Sequence, residues 1–391
     1  MKRKWKWRSK KLALWILIIV LGICKYLWPF QIDLKNPNVL EISKCPGCYG
    51  QNLCPQILKG SISLTNWSLS KYLFNAKNTF FAQYNGKRVI LKKLAHDHEL
   101  VEFDQQMCDL VQPRNCDNIG NNVRFLTSLW TSTPDLDQGL DFYTIKNNVP
   151  EAIETFTCVK NQDLVNYLVK RTIKYHVKLE NFLTLSFINP EPLIAMAFPK
   201  AENWPFPEYY GSCGRFAMFE NCGQTLNQFT TSDWTKKARL SLQVLDMALK
   251  FTFNEPIRLY LTDWSLDNFA VSQTLRVTLI DLENIVLVNK TLINEIKAPG
   301  WNTEHHSVAF GCENRCFSYS LEDLCSHTTS DHNIFGACQT VIQPLLLDEI
   351  PEEVKRRFNL IERLLTECTW PTNPGGRIEA AKQLRDVLKL I

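Results

Sequence analysis

Two carboxylates and one carboxamide stand out by type and spacing. Asp263 lies five residues before Asn268, in Tyr260-Leu-Thr-Asp263-Trp-Ser-Leu-Asp-Asn268-Phe-Ala-Val271, with apolar residues on both sides. Asp281 follows Asn268 by thirteen residues, at the end of the β-forming run Val277-Thr-Leu-Ile280. Phosphoryl transfer asks a protein for such groups: one carboxylate to orient an incoming hydroxyl, and oxygen ligands to hold magnesium on the phosphates. The bland alternative is a hairpin without chemistry, because Asx side chains also favour turns.

The pattern resembles the catalytic loop of protein kinases, in which an Asp and an Asn five apart precede the metal-binding Asp of a D-F-G motif. That resemblance implies Asp263 as the base, Asn268 and Asp281 as metal ligands, and ATP with magnesium (or manganese) as cofactors. A kinase places a long helix ahead of this loop. Ser232 to Asn254 reads as one, with Ser232 as N-cap and Trp234, Ala238, Leu242, Leu245 and Leu249 as its apolar positions.

The elements that must face this loop lie upstream. Thr79 to Tyr84 reads as a strand, Asn85-Gly86 as a type I′ turn and Lys87 to Leu94 as the partner strand. Within the partner, Val89-Ile-Leu-Lys92 is similar to the kinase V-A-I-K strand, which implies Lys92 as the phosphate-binding lysine. Alternation alone does not choose between Lys92 and its neighbour Lys93. His96 to Leu110 reads as a helix; by the same resemblance Glu99, with Glu102 as runner-up, is expected to pair with Lys92. Val111 to Pro150 reads as a long Asn-rich loop pinned by Cys108 and Cys116, Asp163 to Leu185 as a helix, and Leu193 to Phe198 as a strand. Trp204-Pro-Phe-Pro207 reads as a packing loop. Gly214 to Phe219 reads as a strand running into Glu220-Asn-Cys-Gly223, which by order is the kinase hinge and brings Glu220 to the nucleotide. Helical segments recur around Leu321–Cys325, Asp331–Leu347, Glu352–Cys368 and Arg377–Leu390.

Seven of the 44 Lys and Arg fall in residues 1–11, leaving 37 against 40 Asp and Glu, so the basic excess is a terminal tail and no case for nucleic-acid binding arises. An apolar run, Leu12 to Cys24, follows this tail. It reads as an uncleaved signal anchor in preference to a cleaved signal peptide, with the N-terminus cytosolic and the chain beyond about residue 30 luminal. The 14 cysteines suit that oxidising compartment as disulfides. Excluding Cys24, the count is odd, so at least one is unpaired or intermolecular. Zinc is the rival reading at Cys45/Cys48/Cys54, and at Cys312/Cys316 with His305 and His306. Sequons at Asn66 and Asn289 fit a luminal chain.

Taken together, Cys45-Pro-Gly-Cys48, Phe81-Ala-Gln-Tyr84, Val89-Ile-Leu-Lys92, Asn189-Pro-Glu-Pro192, Trp204-Pro-Phe206, Cys213-Gly-Arg215, Asp267-Asn-Phe-Ala-Val271, Asp331-His-Asn333 and Ala380-Ala-Lys-Gln-Leu-Arg385 resemble the divergent protein kinase domain 2 family. The resemblance covers nearly all of the chain beyond the anchor. It implies an α+β, bilobal kinase-like fold with a disulfide-stabilised N-terminal extension, in the Golgi lumen or membrane (type II) or secreted, and Cys222 as an addition to the family's cysteines. The implied organisation is a tail and anchor (1–30), a stem (31–44), a Cys-rich extension (45–78), an N-lobe with an insertion (79–223) and a helical C-lobe (224–391). Expected partners are a luminal or secreted protein substrate or receptor, and the membrane through the N-terminal helix if it is uncleaved. Departures from ordinary kinases are clear. No G-x-G-x-x-G precedes Lys92, Leu261-Thr262 replaces His-Arg, Asp281-Leu-Glu283 lacks the D-F-G glycine, and no A-P-E follows. The expectation is therefore an atypical kinase transferring phosphate to a hydroxyl, with an inactive pseudokinase ligand or scaffold as the alternative and a zinc enzyme behind both.

Overall fold

The structure, a computed structural model, describes residues 33–65, 79–111, 119–130, 156–158, 162–308, 318–373 and 375–391. The basic tail, the apolar run, the Asn66 sequon, Cys116, Cys312 and Cys316 lie outside the described residues. Among the described residues no helix is long and apolar enough to cross a membrane.

The N-terminal half is built on one sheet. Helix α1 (Cys54–Leu58) leads to β1 (Ile62–Leu64), β2 (Thr79–Tyr84) and β3 (Lys87–Lys92). The turn joining β2 to β3 has positive φ at both Asn85 (48°) and Gly86 (76°), as a type I′ turn requires. Helices α2 (Asp97–Val111), α3 (Ile119–Trp130), α4 (Gln162–Ile173), α5 (Leu179–Ile188) and α6 (Glu191–Ala197) follow. Strands β4 (Tyr209–Cys213) and β5 (Phe216–Glu220) then complete the sheet in the order β1-β2-β3-β5-β4. Lys92 thus ends a central strand, paired with Thr79 on one side and Ala217 on the other.

Among the described residues, the C-terminal half is mostly helical around three small ladders. It comprises β6 (Gln224–Thr225), α7 (Trp234–Phe253), β7 (Ile257–Leu261), β8 (Phe269–Val271), β9 (Val277–Leu279), β10 (Ile285–Asn289) and α8 (Lys290–Ile296). Then come β11 (Glu304–His305), α9 (Leu321–Ser326), β12 (Thr329–Ser330), α10 (His332–Gly336), a π-helical segment (Ala337–Ile342), α11 (Gln343–Leu346), α12 (Glu352–Arg357), α13 (Ile361–Glu367) and α14 (Gly376–Leu388). Strands β7 and β10 pair, β6, β8 and β9 form a second ladder, and β11 and β12 pair in parallel as a third. Helix α7 buries Ala238, Leu245 and Leu249 in the main core, together with Leu345, Leu364 and Leu384 from the C-terminal helices.

Several expectations need correction. Helix α3 occupies part of the expected long loop; Ile119, Val123 and Leu126 give it one buried stripe that its Asn residues obscured. The expected helix from Asp163 to Leu185 is two helices, broken where His176 takes a left-handed φ of 59°. Leu193 to Phe198, expected as a strand, lies in and just after α6. All its residues are buried, and a fully apolar run has no period to tell strand from helix. The N-cap of α7 is Asp233, accepting from Lys236 N at 2.9 Å, rather than Ser232. The C-terminal helical stretches are broken into shorter pieces.

Cys45, Cys48 and Cys54, where zinc was one rival, are in disulfides. Cys45 joins Cys48, Cys54 joins Cys213 and so ties α1 to the sheet, Cys158 joins Cys325, and Cys338 joins Cys368. A thiol oxidised to a disulfide cannot serve as a thiolate ligand, which removes the Cys45/Cys48/Cys54 zinc reading. Cys222 is a buried free thiol. Burial, then the neighbouring Glu220 carboxylate, pushes it up to about 12, so it is no ready nucleophile.

Candidate active site

The ladder geometry brings the polar loop residues to one end. Strands β8 and β9 pair Phe269 with Leu279, Ala270 with Thr278 and Val271 with Val277. One step outward, Ile280 N donates to Asn268 O at 2.8 Å, so Asn268 and Asp281 leave the hairpin side by side. The Trp204–Pro207 loop holds this end, since Leu279 N donates to Pro205 O at 2.9 Å. Trp204 stacks on Phe251 of α7 and Phe206 packs against the same ring at a tilt, as the packing reading expects. Asn268 is buried, and its Nδ2 donates to both Asp263 Oδ2 (3.0 Å) and Asp263 O (3.1 Å). The amide therefore fixes the Asp263 carboxylate and leaves its own Oδ1 as a hard oxygen for a cation.

Asp263 is exposed, but the chain leading to it is not. Every residue of β7 is buried, and Asn333 of α10 clamps the strand from behind: its Oδ1 accepts from Leu261 N (3.0 Å), and its Nδ2 donates to Leu259 O (2.8 Å) and Thr252 Oγ1 (3.1 Å). His332 Nε2 lies 3.0 Å from Leu261 O. A carbonyl only accepts, so Nε2 carries the proton. Burial drives the ring down to about 3 and keeps it neutral. Asp331 is held in turn by Ser307 N (2.8 Å) and by Arg377 Nη1 (2.5 Å). The Asp331-His-Asn motif is thus the support of the loop rather than part of its chemistry. Trp264, next to Asp263, packs on Gly336, where an added Cβ would lie 2.2 Å from the indole.

Lys92 enters from the sheet. Its Nζ donates to Glu191 Oε1 (2.6 Å) and to Ile280 O (2.8 Å), the carbonyl immediately before Asp281. Lys93, on the opposite face, binds Glu41 (2.8 Å) and Asp97 (2.6 Å) and so ties the sheet to the stem and to α2. This separates the two lysines that alternation left equal.

The expected partner of Lys92 is wrong. Glu99 Oε2 accepts from His96 N at 2.6 Å, closing the first turn of α2, and Glu102 is exposed. The acid that meets Lys92 is Glu191, at the start of α6. Burial drives Glu191 up to about 7. Lys92 opposes the shift, and the nearby Asp281 and Glu283 carboxylates reinforce it. Sequence reasoning passed over Glu191 because α6 was read as a strand. The available signal was Asn189-Pro-Glu-Pro192, in which prolines open a helix and Asn189 Oδ1 accepts from Glu191 N (2.9 Å). Glu283, standing where D-F-G has its glycine, accepts from Asn189 Nδ2 at 2.5 Å. The replacement thus anchors the start of the helix that carries Glu191.

Glu220 ends β5, and the chain then crosses to β6, linking the two sheets as the hinge reading expects. Its carboxylate does not reach the Lys92 group. It binds Lys200 Nζ (2.7 Å to Oε2), while its N–H goes to Glu208 O (2.9 Å). Cys222 Sγ, a weak donor, lies 3.8 Å from the Glu220 backbone carbonyl.

The family model for the protein-kinase domain of FAM69 matches residues 182–371. Divergent protein kinase domain 2A of Xenopus tropicalis is 32% identical over 95% of this chain and 92% of its own length. The Mus musculus protein of the same name is 33% identical over 91% and 88%. Divergent protein kinase domain 2B of Homo sapiens is 24% identical over 90% and 82%. A sheet lysine paired with a buried helical acid, a braced Asp–Asn loop and likeness along nearly the whole chain agree: this chain belongs to the divergent protein kinase domain 2 family.

Proposed function

We propose that the protein is an atypical kinase of the secretory pathway that uses ATP and magnesium (or manganese) to phosphorylate a hydroxyl of a luminal or secreted protein or glycan. One observation carries the reading: Lys92, from the sheet, hydrogen-bonds the carbonyl beside Asp281, and the same hairpin end holds Asn268 and, through it, Asp263. A continuous polar set thus runs between a sheet-bearing lobe and a helical lobe, where a nucleotide cleft belongs.

The donor set fits the cofactor. Asn268 Oδ1 and the Asp281 carboxylate are hard oxygens, which magnesium prefers. Bound there, the metal would neutralise charge on the phosphates. Lys92 exchanges its bond to Ile280 O for a phosphate oxygen while Glu191 holds its aim. The Glu220 carbonyl is the acceptor an adenine amine would use. Asp263, steadied by Asn268, orients the acceptor hydroxyl and takes its proton as the oxygen bonds to the γ-phosphorus; the β–γ bridging bond breaks and its electron pair leaves with ADP. Disulfides and the basic, apolar N-terminus support a Golgi or secreted location.

The test is phosphate transfer from labelled ATP by the purified, disulfide-intact protein to secretory-pathway protein extract. Transfer that disappears in Asp263→Ala supports the reading; transfer that persists unchanged contradicts it. The Lys92–Ile280 bond also favours a second reading, since it puts a backbone carbonyl where a phosphate would sit. This is a pseudokinase acting as a secreted ligand or Golgi scaffold, for which the wild type transfers nothing and its melting temperature ignores nucleotide.

A further inference from the structure

Away from the kinase-like site, His305, Asp323 and His327 present three ligand atoms that all lie within 4.8 Å of one another. We propose that these residues bind a zinc ion that clamps β11 to the α9–β12 segment. The set is chemically apt: two imidazoles and one carboxylate are common zinc ligands, with water completing a tetrahedron. Bonds of ~2.0–2.2 Å to a common ion put tetrahedral ligand atoms ~3.4 Å apart, so small side-chain rotations suffice.

The backbone prepares the site. Asp323 and His327 are four residues apart on and just after α9, which places them on one face. His327 Nδ1 lies 2.9 Å from Asp323 O. The carbonyl only accepts, so Nδ1 carries the proton and Nε2 keeps the lone pair that a metal needs. A metal-binding histidine usually has this arrangement, with its second nitrogen donating to a fixed oxygen. Ser326 Oγ, at 3.0 Å from the same Nδ1, adds to the restraint. His305 arrives from β11, which pairs in parallel with β12, and its ring centre stands 5.4 Å from that of His327. The Cys158–Cys325 disulfide fixes α9 between the two helical ligands.

The neighbouring group Glu304, His306 and Asp331 also gathers three ligand atoms. That group is already cross-linked without a metal: Asp331 accepts from Ser307 N and Arg377 Nη1, and His306 Nδ1 lies 3.4 Å from Asp331 Oδ2 and 3.3 Å from Glu304 Oε1. Successive side chains along an extended segment point to opposite sides. His305 and His306 therefore part company, against the sequence reading that grouped them. Zinc at His305 would also stiffen β12, which runs directly into the Asp331–Asn333 brace behind β7.

The test uses the full chain with its disulfides intact, stripped with a chelator and dialysed against zinc alone, with bound metal measured by mass spectrometry. The expected result is one zinc per chain, weakened about tenfold or more in each of His305→Gln, Asp323→Asn and His327→Gln, and unchanged in His306→Gln. Cobalt in place of zinc should give the visible absorption of a four-coordinate ion in the wild type and not in the three variants. Zinc should also raise the melting temperature of the wild type, a readout that does not depend on the variants folding. Absence of stoichiometric zinc, zinc retained in all three variants, or loss in His306→Gln would each overturn the proposal.

Discussion

Lys92 and Glu191 meet at 2.6 Å although they are 99 residues apart in sequence, with helices α2 to α5 lying between them. The pair joins the sheet to the start of α6. Glu283 fastens the same helix start through Asn189, at 2.5 Å. The lysine's position is therefore set by an acid inserted late in the chain, rather than by the first helix after its strand.

It follows that Lys92→Met and Glu191→Gln should both suppress the rise in melting temperature produced by ATP with magnesium, each by about tenfold or more in apparent affinity. Glu99→Gln, which only loosens the first turn of α2, should leave the rise intact. A Glu99 variant as impaired as Glu191→Gln would return the pairing to the helix after β3.

Glu191 also sets a pH dependence. Its folded value near 7 lies above its ordinary value of 4.5, so the folded state holds a proton that the unfolded state has released between those limits. Stability from this group is complete below 4.5 and is lost as pH rises through 7. Urea midpoints taken from pH 5 to pH 8 should show the wild type losing ground to Glu191→Gln as pH rises. A gap that stays constant, or widens in favour of the wild type, would contradict the buried-acid account.

Asn333→Ala should cost about 2–4 kcal/mol, because it leaves the Leu261 N–H and the Leu259 carbonyl buried without their partner. Transfer activity should fall further than stability alone explains, since β7 delivers Asp263. Denaturant unfolding and activity measured on the same preparation check both halves. A variant within about 0.5 kcal/mol of the wild type would show that β7 needs no brace.

Gly336→Ala tests the contact behind Trp264. The new methyl would fall 2.2 Å from the indole, so Trp264 must move. Overpacking of this kind costs about 1–3 kcal/mol. The shift should appear in tryptophan fluorescence as well as in melting temperature. Unchanged values in both would mean the wall behind Asp263 is softer than drawn.

The placement of the loop was legible in the sequence because Asn268 and Asp281 flank one short hairpin and Asp263 lies five residues upstream, so spacing maps directly onto geometry. The β2–β3 hairpin was legible for the same reason, through Asn85-Gly86. Glu191 was not, because nothing local ties it to Lys92: the pairing depends on how a long insertion folds back. The π-helical segment and the break at His176 were hidden likewise, since neither Ala337-Cys-Gln-Thr-Val-Ile342 nor Lys174-Tyr-His-Val-Lys178 contains a Gly or Pro to mark it. The brace by Asn333 lies 72 residues beyond Leu261, and only the motif itself hinted at it.

The most direct measurement is calorimetric titration of the purified protein with ATP, with and without magnesium, on the wild type and on Asp281→Asn. The account predicts saturable binding that requires magnesium and weakens about tenfold or more in the variant, whose melting temperature stays near that of the wild type. Binding that ignores magnesium, binding that is equal in Asp281→Asn, or no binding at all would contradict it.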